Sequence, residues 1–257
     1  MSSKEIISGY VNYLFKKIAY KLGIKYLPLI FNRKLLLICI DSWKMYRISY
    51  EQYIADLLNK NLKLNDIFFD VGSHIGLWSL YTQSIVGEKG KIIAFEPSPA
   101  FNLLKKNINR YSNCIAYNYG VSNTNEKLSF FAQGTGQSNS FNQEITTNSE
   151  YKRPGVAIKE LKIDAITLDN FCKKHNVIPN LIKIDVEGHE LKVLEGAKNV
   201  LLLNGPKLII EIHSHRLKFE GYNEKNLLEF LSKCNYSYKT INNEGKPLYT
   251  IYAVRKE

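Results

Sequence analysis

From residue 51 onward, short apolar runs alternate with stretches whose apolar positions recur every three or four residues, the pattern of strands joined by amphipathic helices. The runs are Ile67 to Val71, Lys91 to Phe95, Ile115 to Tyr119, Leu181 to Asp185, Lys207 to Ile212, Tyr236 to Ile241 and Leu248 to Val254, so seven strands are predicted. Helical stretches between most of them imply parallel crossovers. Only a short turn around Asn242-Asn243-Glu244-Gly245 separates the last two, which makes that pair antiparallel. The expected architecture is α/β: a seven-stranded, mostly parallel sheet with helices on both faces and an antiparallel last strand.

The first 49 residues follow a different pattern. Ile6, Ile7, Tyr10, Val11, Leu14, Phe15, Ile18 and Leu22 recur at helical spacing with lysines opposite. Pro28 is expected to end that segment, and Leu35 to Ile40 with Lys44 to Ile48 then read as a hairpin turned at Asp41-Ser42. This stretch also holds nine basic against two acidic side chains, so most of the chain's +11 net charge lies outside the α/β region. Residues 1–49 are therefore read as a basic helix and hairpin extension, and 50–257 as the main domain. The helix can pack on the core or a partner subunit, or residues 4–22 can lie on an anionic membrane surface; the oligomeric state stays open. With 257 residues and 45% hydrophobic content, one substantial core is expected. Cys39, Cys114, Cys172 and Cys234 form no C-x-x-C pair and read as reduced thiols of a cytoplasmic protein, soluble or peripheral at the inner membrane surface.

Charge and glycine placement suggest the chemistry. The first predicted strand runs into Asp70-Val71-Gly72-Ser73-His74-Ile75-Gly76, a glycine-bearing turn that opens a helix. Such turns cradle nucleotide cofactors, but a dinucleotide site would carry G-x-G-x-x-G to receive a pyrophosphate. Here an acid, Asp70, stands at the strand end, where it repels phosphate and attracts a cofactor bearing sulfonium and ammonium groups. Twenty residues past Gly76 the second strand ends in Glu96-Pro97, and an acid there can accept both ribose hydroxyl protons. The third strand leads to Gly120-Val121-Ser122, a weaker signal for the adenine side. Gln133 to Pro154 is polar and reads as a loop near the substrate end of the sheet.

In Leu181-Ile182-Lys183-Ile184-Asp185-Val186-Glu187-Gly188-His189-Glu190, charges interrupt an apolar strand and its exit. Their burial without partners would cost several kcal/mol, so they are expected to pair with each other or face the cleft. With these residues laid out, the chain from about Tyr50 onward resembles the FkbM family of methyltransferases. The likeness is carried by Tyr50-Glu51, the Asp70 to Gly76 turn, Phe95-Glu96-Pro97, Gly134 to Ser140, Ile166-Thr167-Leu168-Asp169, Lys183 to Glu190, Val193-Leu194-Glu195-Gly196-Ala197 and Glu211-Ile212-His213. His74 stands where smaller residues are more usual in that family. The resemblance implies a Rossmann-like class I fold, S-adenosyl-L-methionine as cofactor, and O-methylation of a sugar, glycan, glycolipid or secondary metabolite. Asp70, Gly72, Ser73, His74, Gly76, Glu96, Pro97, Ser122 and Asp185 are the candidate cofactor-binding residues.

Methyl transfer to oxygen requires alignment and removal of a hydroxyl proton, for which Asp185, Glu187 and His213 are the candidates, His213 being matched to neutral pH. His213-Ser214-His215 with both acids nearby also permits a divalent metal; no metal motif of fixed spacing is present, so none is assigned. His175 and His189 read as surface residues. The high pI raises the alternative of a nucleic-acid methyltransferase, but the fourth strand exits as Asp-Val-Glu-Gly rather than Asn/Asp-Pro-Pro-aromatic, and its acids would repel phosphate. A non-catalytic scaffold would need a damaged cofactor motif, and Asp70, Gly72, Gly76 and Glu96 are all in place.

Overall fold

The computed structural model describes residues 21–31, 34–39, 52–136, 139–147, 156–242 and 248–256. The chain divides into two compact units, 1–52 and 53–257. In the first, β1 (Tyr26–Phe31) and β2 (Lys34–Cys39) form an antiparallel ribbon with Tyr26 opposite Cys39. The apolar run after residue 34 thus pairs with 26–31, a partner the sequence reading did not give it. Pro28 lies inside β1 opposite Leu37 and ends nothing, since a two-stranded ribbon tolerates a residue without an N–H on its open side. The strand expected at Lys44 to Ile48 lies outside the described residues, as does the helix expected over 5–22 except for Lys21 and Leu22.

The second unit is built on β3 (Ile67–Val71), β4 (Lys91–Phe95), β5 (Cys114–Tyr117), β9 (Leu181–Ile184), β10 (Lys207–His213), β11 (Tyr236–Asn242) and β12 (Leu248–Arg255). They form one sheet in the order β11-β12-β10-β9-β3-β4-β5. β3, β4, β5, β9 and β10 pair in parallel, while β12 runs antiparallel to both β10 and β11. All seven expected strands are present. Two end earlier than expected, at Tyr117 and Ile184, so Asp185 begins a turn instead of closing a strand.

The central strands β3, β4, β9 and β10 are mostly apolar because both faces are covered, while the edge strand β11 is polar and largely exposed. Helices Leu77–Val86 and Phe101–Ile108 connect β3 to β4 and β4 to β5, and Glu190–Glu195 with Lys198–Asn204 connects β9 to β10. The core joins Phe69, Phe95, Phe171, Ile182, Ile184, Ile210 and Ile251. Thr167 caps helix Leu168–His175 through the Asn170 amide, and Asp169 accepts from the Asn199 and Val200 amides at the start of the helix beginning at Lys198, at 2.9 and 2.8 Å. A carboxylate there complements the helix dipole and ties two helices together. None of the four cysteines forms a disulfide, and all are buried.

A second sheet, absent from the sequence expectation, joins β6 (Gly120–Val121), β7 (Lys127–Ala132) and β8 (Lys159–Ile166) in the order β6-β8-β7. It encloses a small core of Phe130, Ala132 and Ile163, with Phe141 and Leu161 against it. The polar stretch expected as loop over 133–154 belongs partly to this layer: Gln133, Asn139, Ser140, Ile145 and Thr146 are buried, and Gln143–Thr147 is helical. Among the described residues no helix is long and apolar enough to cross a membrane.

Candidate active site

The chain leaves β3 toward β4 on one side of the sheet and leaves β9 toward β10 on the other, and the crevice between such diverging turns is where open α/β sheets bind ligands. The two turns touch through backbone. The Asp185 amide donates to the Val71 carbonyl at 3.0 Å, and a Cβ on Gly72, whose φ is +76°, would stand 1.8 Å from the Asp185 carbonyl oxygen. Glycine is thus required at 72 because the chain itself comes close there. Gly76, at φ +84°, serves the same purpose against Leu104 of the next helix, 2.6 Å from where its Cβ would be.

Asp70 is fully buried in β3, with Oδ2 accepting from the Ser79 hydroxyl at 2.6 Å and Oδ1 without a hydrogen-bond partner. Burial raises its carboxyl pKa, partly countered by Lys183 and the Ser79 hydrogen bond. A buried carboxylate with one open oxygen suits a cationic group, so the residues present fit S-adenosylmethionine. Glu96, also buried, accepts from the His74 amide at 2.7 Å and the Ser98 amide at 2.9 Å, so its carboxylate is aimed before any ligand arrives. The Ser73 hydroxyl donates to the Phe95 carbonyl at 3.1 Å, knitting the turns after β3 and β4 together. Asn118, just past the end of β5, clamps the Glu96 and Pro97 carbonyls at 2.8 and 3.2 Å.

The three candidate proton acceptors converge: one ligand atom each of Asp185, Glu187 and His213 lies within 4.8 Å of the others. Lys183 pairs with Asp185 at 3.1 Å, as the buried-charge argument required. Burial works against the Asp185 charge, but the Lys183 and His213 cations hold its carboxyl below the usual range. His213 Nδ1 meets Glu190 Oε1 at 2.8 Å and its Nε2 faces Glu187 at 3.5 Å. Burial disfavours the imidazolium, yet Glu190, Glu211 and Asp185 outweigh it and lift the pKa to about 9. Sequence reasoning missed two partners here: Glu190, whose only signal was its place at the end of the charged segment, and Arg216, whose guanidinium lies against Glu187 and gave no signal.

The polar segment after β7 spans this crevice. His74 Nε2 lies 3.1 Å from the Thr135 carbonyl at one end, and the Ser140 hydroxyl approaches the Glu187 carbonyl at 3.5 Å at the other. Of the non-glycine residues on the facing turns, His74 and Glu187 are left-handed, with φ +50° and +57°. Such strain survives where surrounding contacts over-determine the backbone, and it clusters at functional sites.

Two expectations change. Ser122 is brought into contact with none of the other candidates: it is buried on β6, where its hydroxyl lies 2.9 Å from His189 Nε2. His189 is a core residue rather than a surface one, 2% exposed, stacked on Phe141 and 3.5 Å from Glu220. His175 is exposed as expected. Burial disfavours the Glu220 charge, but His189 and Lys192 hold its carboxyl down to about 2, against an ordinary 4.5. A carboxyl depressed by folding adds stability above its unfolded pKa and loses it as pH falls through the folded value. Glu220→Gln is therefore expected to cost about 3 kcal/mol at neutral pH, at about 1.4 kcal/mol per pH unit of depression. In urea titrations that gap should close from about pH 4.5 down to about 2. A gap independent of pH would mean that Glu220 contributes packing rather than charge.

Comparison with known proteins identifies the family. Residues 70–238 match the methyltransferase FkbM domain. The hexuronic acid methyltransferase AglP of Haloferax volcanii is 30% identical over 202 residues, covering 77% of this chain and 74% of that protein. Methyltransferase sdnD of Sordaria araneosa is 27% identical over 61% of this chain and 69% of its own length. Among solved structures, methyltransferase FkbM from Methylobacillus flagellatus superposes with a TM-score of 0.48 at 16% identity, over 74% of this chain and 43% of that one. The chain belongs to the FkbM methyltransferase family and is an S-adenosylmethionine-dependent methyltransferase.

Proposed function

We propose that the protein transfers a methyl group to a hydroxyl of a sugar or glycan. The observation that carries this reading is the convergence of Asp185, Glu187 and His213 beside the cofactor turn, where a carboxylate can receive a hydroxyl proton and His213, lifted to about 9, faces it as a cation. The sugar class is supported by the relative named as a hexuronic acid methyltransferase. Acidic side chains on this side of the crevice disfavour a nucleic-acid acceptor.

S-adenosylmethionine, when bound, supplies an electrophilic methyl on a sulfonium. Glu96 would hold the ribose diol, with Ser73, His74 and Pro97 fixing its turn, and Asp70 would favour the cationic amino-acid end. Asp185 begins the turn packed against Gly72 and would lie beside the bound cofactor. The 133–140 segment, tied to His74 and Glu187, would close over the acceptor and exclude water.

Titration calorimetry with S-adenosylhomocysteine tests the foundation. The intact chain is expected to bind at micromolar strength, and Glu96→Ala to weaken binding about a hundredfold, the loss of two charge-assisted hydrogen bonds at about 1.5 kcal/mol each. Folded wild type that does not bind would overturn the reading.

A further inference from the structure

We infer that Asp185, Glu187 and His213 bind one divalent cation that holds the acceptor hydroxyl. The role of the ion rests on the methyltransferase reading; its binding does not.

The three ligand atoms lie within 4.8 Å of one another. With metal–ligand bonds of about 2.0–2.2 Å, opposite ligands of one ion stand about 4.3 Å apart, so movements of a few tenths of an ångström would complete the set. A mixed oxygen and imidazole set suits manganese, magnesium or zinc.

The surroundings are those of a metal site rather than of a simple ion-pair network. His213 is 3% exposed, and Glu190 holds Nδ1 at 2.8 Å, which leaves Nε2 turned into the cluster. A carboxylate behind a histidine fixes the tautomer a metal needs. Nε2 and the Glu187 oxygen sit 3.5 Å apart, too far for a strong hydrogen bond and suitable for a shared cation. Asp185, Glu187, Glu190 and Glu211 gather around His213, while Lys183 and Arg216 pair with Asp185 and Glu187.

An ion there would draw density from a bound hydroxyl and lower its pKa. The hydroxyl proton passes to a carboxylate of the cluster and then to water. The oxygen lone pair forms the new C–O bond as the S–CH3 bond breaks, and that electron pair stays on sulfur as the thioether.

The test uses the full chain stripped with chelator and titrated with Mn2+, following the free-ion signal by electron paramagnetic resonance. One Mn2+ per chain is expected, with a dissociation constant below about 100 µM, and Glu187→Gln and His213→Gln each weakening it at least about tenfold. Should either variant fail to fold by circular dichroism, pulsed resonance on the wild type decides: a nitrogen coupling from directly bound imidazole is expected, and its absence overturns the site. No Mn2+ uptake also overturns it. S-adenosylhomocysteine binding in the same sample separates the two readings, since a chain that binds the nucleoside but not the ion remains a methyltransferase without a metal.

Discussion

Gly72→Ala is expected to abolish S-adenosylhomocysteine binding and to destabilise the 53–257 unit by more than about 4 kcal/mol, among the largest effects a single methyl group can have. The left-handed backbone alone costs an alanine about 1–2 kcal/mol. The remainder comes from the Asp185 carbonyl, which the new Cβ would meet at 1.8 Å. Neither partner can rotate away, because both atoms belong to backbone held by the β3–β9 ladder. The turns after β3 and β9 would have to separate, and with them Glu96, His74 and the Asp185 cluster. Gly221→Ala is the matched control, with φ +81° and nothing within 4 Å of its Cβ. Urea unfolding of both variants isolates the close approach, and equal losses would refute the explanation.

Glu190→Leu is expected to cost about 3–5 kcal/mol, because it leaves a buried partner unpaired. Glu190 is fully buried, and its Oε1 accepts from the Gly188 amide at 2.9 Å as well as meeting His213. Glu190→Gln keeps an oxygen at that point and should cost about 1 kcal/mol. Denaturation of the pair separates polar satisfaction from shape. Equal losses would show that the 190 site is governed by volume instead. Both variants should retain S-adenosylhomocysteine binding, since Glu190 contacts neither Glu96 nor Asp70.

The sheet was legible because a strand buried on both faces must be apolar along its whole length, and runs such as Ile67 to Val71 have few other uses. The cofactor turn was legible for a local reason: backbone geometry at Gly72 and Gly76 is written in one or two letters. The β6-β8-β7 layer was missed although Leu161, Ile163 and Ala165 alternate with charges along β8, the period-two signal of a half-buried strand. That signal was outweighed by the long polar stretch preceding it. The pairing of 34–39 with 26–31 was not read because an apolar run can pair on either side, and composition does not choose between neighbours. His189 was misread because its burial depends on Ser122, Phe141 and Glu220, which come from three distant places in the chain. Contacts of that kind explain why Arg216 gave no warning either.

The placement of β12 between β10 and β11 sets the order of events during synthesis. A growing chain that has reached residue 247 already contains every parallel strand, yet β10 still presents an open edge and β11 has nothing to pair with. The β10 edge can be covered, and β11 joined to the sheet, only once residues 248–255 are available. Until then the nascent protein exposes the long apolar edge from Lys207 to His213, the surface on which a chaperone, or a second unfinished copy, would settle first.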